Sequence, residues 1–133
     1  MTTEPLTLPA LLRRNATVRG DLPALISEWG SLSHVQLDAD SADVACRLVA
    51  PGVDKSSRVG LLMENGIEWA VLASAVMRTG AVLVPLSTLL RPPELHHQLQ
   101  TAVVTELVIT REFRGRSYLT DLEAIAPGCA DLR

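Results

Sequence analysis

The sequence predicts an α/β fold, a layered parallel, partly mixed, sheet with helices on both faces. Three observations predict it. Short continuous apolar runs at 59–63, 81–86 and 107–110 read as strands buried on both faces. Segments with helical spacing, carrying their own start and stop signals, lie between them. The connections from strand to strand are long enough for right-handed crossovers between parallel neighbours. The three strands are expected side by side in one parallel sheet, with the helix at 67–79 packed on it.

The elements follow in order. Thr7, Pro9 and the apolar set Leu8, Leu11, Leu12 and Ala16 predict a first helix that ends near Arg19 and Gly20. Two short extended runs, 24–26 and 31–32, flank the turn Glu28-Trp29-Gly30 and predict a small hairpin. Ser33-His34-Val35-Gln36 is a capping box that opens a helix running to Pro51-Gly52. His34 is placed on its solvent side and Cys46 on its apolar side. Asn65 is expected as the N-cap of the next helix, with Glu68 three residues on and Gly80 at its end. Trp69, Leu72, Ala73, Val76 and Met77 form that helix's main apolar face, opposite Glu68, Ser74, Arg78 and Thr79. Ile67, Val71 and Ala75 make a second apolar row inside the polar arc, so the helix is expected to carry apolar surface on two sides. Pro85 must sit near the end of its strand, because proline cannot donate to a central ladder. Pro92-Pro93-Glu94 opens a helix to about Gln100. Residues 111–116 read as a polar loop, and 118–126 fits helix and strand equally.

Composition bounds the function. A chain of 133 residues is one domain or part of one, and residues 1–133 are expected to form a single unit. A hydrophobic fraction of 47% with a formal net charge of −3 excludes a disordered tail and a general nucleic-acid binder. No apolar run approaches the roughly 18–20 residues of a membrane span, and Met1-Thr2-Thr3-Glu4-Pro5 carries no leader signal. With two cysteines, Cys46 and Cys129, a cytoplasmic location is expected.

Chemistry-bearing motifs are scarce. Neither GxGxxG nor GxxxxGK[ST] occurs, and the single lysine, Lys55, follows no glycine-rich stretch. The acid in Glu64-Asn65-Gly66 would repel phosphate at the turn after residue 63. GxSxG is absent. Cys46 reads as a buried structural thiol and Cys129 as a bystander. His96 and His97 are adjacent, so on a helix they point about 100° apart and cannot easily share one ion. Arg111, Arg114 and Arg116 form a local basic patch, either a solvated loop or an anchor for an anionic ligand. Four aromatic residues are too few for a base-stacking surface.

Several stretches, taken in order, carry a family resemblance. They are Asp21-Leu22-Pro23-Ala24-Leu25, the run Ser31-Leu32-Ser33-His34-Val35-Gln36-Leu37, VDKSSRVGLLMEN at 53–65, Glu68-Trp69, GAVLVPL at 80–86, LLRPPELHHQL at 89–99, and Leu107-Val108-Ile109-Thr110. In order and spacing they resemble the N-terminal part of the AMP-forming acyl-CoA synthetases, the adenylate-forming ligases that include fatty-acid CoA ligases. Two places depart from the pattern: Ser56-Ser57 stands where the family has Gly-Asp, and 101–105 lacks its small-residue turn.

The resemblance implies the N-terminal subdomain of that fold and a parent that activates a carboxylic, fatty-type acid with ATP and Mg²⁺ and passes it to CoA. It also implies that the ATP-gripping loop, the acidic adenylate-site motifs and the catalytic lysine come after residue 133. No catalytic, cofactor-binding or metal residue of the family is therefore carried onto this chain, and no cofactor is assigned to it. Residues 1–133 alone are expected neither to bind ATP measurably nor to catalyse ATP–pyrophosphate exchange. Self-association through exposed apolar surface is expected. A stand-alone, non-enzymatic interaction or remnant module is the competing reading.

Overall fold

The computed structural model describes residues 6–133, and the stretch 1–5 read above for a leader lies outside them. The elements are α1 (Leu8–Arg19), β1 (Pro23–Ser27), β2 (Gly30–Ser33), α2 (His34–Val49), β3 (Arg58–Leu62), α3 (Ile67–Arg78), β4 (Val82–Leu86), α4 (Pro92–Thr101), β5 (Glu106–Ile109), β6 (Glu112–Phe113), β7 (Arg116–Ser117) and α5 (Tyr118–Ile125). The fold is α/β with a parallel sheet and helices. Antiparallel pairing is confined to the two hairpins, β1–β2 and β6–β7, which form sheets of their own. Contacts divide the chain into two units. One runs to Gly52 and takes in Asn65–Gly80; the other comprises Val53–Glu64 and Ala81–Arg133.

The first unit holds α1, the β1–β2 hairpin, α2 and α3. Thr7 Oγ1 accepts from the Ala10 N–H at 3.3 Å and starts α1. The capping box of α2 is complete: Gln36 N–H donates to Ser33 Oγ, and the Gln36 side chain accepts from Ser33 N–H at 2.9 Å. Arg78 ties α3 to α2. Its guanidinium pairs with Asp38, and its Nε donates to Ser41 Oγ at 2.9 Å. Ser41 is fully buried and donates in turn to Leu37 O at 2.6 Å, so the buried hydroxyl is fully satisfied.

Four details of this unit differ from expectation. The N-cap of α3 is Gly66, not Asn65, with no side-chain cap. The helix itself starts at Ile67 as expected, and in its first turn Glu68 complements the dipole. Ser74 and Ala75 are buried at 6% and 0%, so the face assigned to solvent is partly covered and only Ile67 and Val71 of the second row stay half-exposed. Cys46 is exposed and His34 half-buried, the reverse of their expected settings.

The second unit is built on the sheet β4-β3-β5, parallel throughout. β3 is central, and from Val59 to Leu62 every residue is buried. β4 is an edge strand, which admits Pro85 opposite Leu61 and leaves much of β4 half-exposed instead of buried on both faces. α4 and α5 bury Leu95, Leu99 and Tyr118 in a core with Leu62, Leu86, Val104 and Cys129. Burial pushes the Cys129 thiol pKa up.

The Ser56-Ser57 departure has a local purpose. The Asp54 carboxylate accepts from the Ser56 hydroxyl at 2.6 Å and its N–H at 2.8 Å, which lowers its pKa. Fully buried Ser57 accepts from the Asp54 N–H at 3.1 Å and donates to Glu106 Oε1 at 3.3 Å. The expected polar loop at 111–116 is a tight hairpin. Arg114 and Gly115 both take positive φ, 50° and 74°, as a two-residue turn of this hand requires. The segment of undecided type at 118–126 is α5, capped by Ser117 Oγ accepting from Thr120 N–H at 3.3 Å.

Candidate functional site

All three strands of the parallel sheet run the same way, so their carboxyl ends share one edge. In open parallel α/β sheets that edge is where ligands bind. Here the loop after β4 and the β6–β7 hairpin after β5 enclose a cavity of about 390 Å³. Arg91, Arg114 and Arg116 line it, with Asp121 as the carboxylate among the lining residues.

Arg116 is the fixed member of the group. Its Nε donates to Asp121 Oδ2 at 2.6 Å and its Nη1 to Thr88 O at 3.3 Å. Its guanidinium lies 4.7 Å from the Tyr118 ring centre. Tyr118 is itself locked, 2% exposed, with its hydroxyl donating to the same Thr88 O at 2.7 Å. The Nη2 of Arg116 is buried and has no hydrogen-bond partner among the described residues. A buried, unpaired guanidinium N–H is costly to leave unmet.

Arg114 rests over Phe113 at 5.1 Å, and Arg91 is the N-cap residue before α4, its N–H donating to Glu94 Oε2 at 2.9 Å. Three guanidinium groups against one carboxylate give the cavity a positive field. Their planar forks suit bidentate contact with phosphate or carboxylate oxygens.

Of the patch read from the sequence, Arg114 and Arg116 meet here. Arg111 does not; it is exposed, and its carbonyl accepts from Tyr118 N–H at 3.0 Å. Arg91 was missed, since its neighbourhood with the patch is made by the sheet and not by the sequence. His97 is exposed, and half-buried His96 has its Nε2 unpaired, close to where a Cβ on Gly128 would lie (2.8 Å). Among the described residues no group of three or more His, Cys, Asp or Glu could hold a metal ion.

The chain is similar in sequence and fold to known proteins. The 2-succinylbenzoate–CoA ligase of Bacillus cereus (strain AH820) is 33% identical over 110 residues, 83% of this chain and 23% of that protein. A ligase of Rhodococcus jostii (strain RHA1), named for joining a methyl-dioxo-octahydroindenyl propanoyl group to CoA, is 31% identical over 115 residues, 86% and 22% of the two chains. Among solved structures, an anthranilate CoA ligase in complex with anthranoyl-AMP superposes with a TM-score of 0.84 at 27% identity, covering 97% of this chain and 24% of that one. A fatty acyl CoA synthetase of Mycobacterium tuberculosis superposes with a TM-score of 0.83 at 26% identity, covering 95% and 25%. The chain thus spans about a quarter of the length of the relatives it matches. The family described as "AMP-binding enzyme" matches residues 12–131, and the chain belongs to that family.

Proposed function

We propose that residues 1–133 form the N-terminal subdomain of an AMP-forming acid–thiol ligase. The whole enzyme joins a carboxylic acid to AMP, releasing pyrophosphate from ATP with Mg²⁺, and then transfers the acyl group to the CoA thiol. The carrying observation is the family match over 12–131, with relatives that are CoA ligases. A fatty-type acid is the proposed substrate, supported by the likeness to the Mycobacterium tuberculosis synthetase. The exposed Cys46 and buried Cys129, both unpaired, suit a cytoplasmic place of work. Among the described residues no helix is long and apolar enough to cross a membrane. Two half-exposed apolar residues on α3, Ile67 and Val71, support self-association of the chain.

Within this reading the arginine cavity receives phosphate groups of CoA, the polyanionic substrate common to the named relatives. Arg116 is held in place at the cavity wall by Asp121, Thr88 and Tyr118. Arg114, on the exposed hairpin turn, adds a second guanidinium at the cavity wall. These residues bind and orient; they carry no chemical step.

Titration calorimetry with CoA tests the assignment. Weak binding is expected that falls with added salt. Arg114→Gln should raise the dissociation constant about tenfold, the loss of one charge-assisted hydrogen bond. Equal CoA affinity in wild type and Arg114→Gln, or no salt dependence, would move the CoA site elsewhere.

A further inference from the structure

A second cavity, of about 540 Å³, lies between α2 and α3 in the first unit. Its floor is apolar, with Val44, Ile67, Val71 and Leu72, all half-buried. Its rim is acidic, with Asp40 and Glu68 exposed. Arg47 is the cation of the lining, and Asp43 already pairs with it at 3.1 Å. The groove therefore presents two carboxylates, Asp40 and Glu68, around a greasy floor, with no lining cation left to neutralise them. Charge complementarity asks for a basic, amphipathic occupant.

The chain itself carries such an element. α1 reads LPALLRRNATVR, with three arginines and no acid. Leu11, Arg14 and Val18 stand at i, i+3 and i+7, on one helix face. All three are exposed, Leu11 at 37% and Val18 at 74%. That face has apolar residues on either side of a cation, the inverse of the groove.

We propose that the groove between α2 and α3 receives α1 of a second copy of this chain. Leu11 and Val18 sit on its apolar floor, and Arg14 lies against Asp40 and Glu68. The inference rests on the self-association proposed above and names its two faces. Both faces belong to every copy, so a two-fold pair makes the contact twice, and two weak contacts act together.

Sedimentation equilibrium of the full 133-residue chain, at low and high ionic strength, tests it with three samples: wild type, Arg14→Glu, and the double variant Asp40→Lys/Glu68→Lys. Wild type should dimerise, less at high salt. Each variant should raise the dimer dissociation constant about tenfold or more, since each places like charges face to face. An equimolar mixture of the two variants should recover association. The carboxylate introduced on α1 of one copy then meets the lysines introduced in the groove of the other, and a variant that had merely failed to fold could not be rescued. A monomeric wild type overturns both the self-association and the surface. In that case the groove is left to a foreign basic helix or a lipophilic cation. Dimerisation that neither variant weakens, or that mixing does not restore, leaves self-association standing and overturns this surface alone.

Discussion

At Gly60 the central strand has no room for a side chain. A Cβ there would lie 2.7 Å from Leu107 Cδ1, 3.1 Å from Val104 Cγ1 and 3.2 Å from Leu86 Cδ1. Leu107 is half-buried and can turn away, but Val104 and Leu86 belong to the core and close in as well. Overpacking of this kind costs about 1–3 kcal/mol, while replacing glycine in a strand recovers about 0.5–1 kcal/mol. Gly60→Ala should therefore lower stability by about 1 kcal/mol, seen as a lower urea midpoint at unchanged slope. An unchanged or higher midpoint would mean that all three neighbours yield. The same scale shows what the sequence withholds. Cys46 sits within an apolar-leaning helical pattern, yet it is exposed, because the face of α2 that is buried is the one carrying Leu37, Ser41 and Ala45. A serine stands in that buried row, so hydrophobicity alone misplaces the face; the Arg78 and Leu37 partners that make Ser41 acceptable there are contacts of the fold.

Elements were legible where one local signal settles them. The capping box of α2, the prolines opening α1 and α4, and the apolar run of β3 all act within a few residues, and each stands where its chemistry puts it. The β6–β7 hairpin was not legible, because Arg114-Gly115 is an unusual pair for a turn that needs two positive φ angles. The ends of α3 and α4 make an instructive pair. In both the chain leaves the helix through a left-handed residue, Gly80 at φ 83° after α3 and Val103 at φ 53° after α4. Around Val103 the exit is a full Schellman arrangement: Val104 N–H donates to Leu99 O and Val103 N–H to Gln100 O, both at 3.0 Å. A β-branched residue in this conformation is strained, by roughly 1–2 kcal/mol for an ordinary L-residue. Its side chain is 44% exposed, so little packing would be lost on removing it. Relief of strain outweighs the added freedom of the unfolded chain, about 0.4–1 kcal/mol. Val103→Gly should raise stability by about 0.5–1 kcal/mol and the thermal midpoint by a few degrees. A lower midpoint would show that the valine methyls pack better than their exposure suggests.

At the scale of the whole chain, the candidate site divides into what sequence can and cannot carry. Arg114 and Arg116 are two residues apart and were visible as a patch. Arg91 joins them only because the carboxyl ends of β4 and β5 share one edge of the sheet. The resulting cavity supplies positive charge to an anion, and charge alone is not adenylation. That reaction needs donors arranged on a triphosphate, a metal site and groups that stabilise charge at the reacting phosphorus. The chain has no glycine-rich phosphate loop, its one lysine, Lys55, is exposed on the turn before β3, and no metal-holding cluster exists among the described residues. Each missing oxyanion-type donor is worth roughly a hundred- to a thousand-fold in rate, so their joint loss removes many orders of magnitude. Residues 1–133 are therefore expected to give no carboxylate-dependent exchange of labelled pyrophosphate into ATP, assayed with protein purified free of host synthetases. The arginine cavity makes the comparison sharper, since it predicts phosphate affinity without turnover. Exchange above a no-protein control that survives Arg114→Gln and Arg116→Ala would place catalytic groups elsewhere in these 133 residues; exchange abolished by either substitution would make the cavity itself the reacting site.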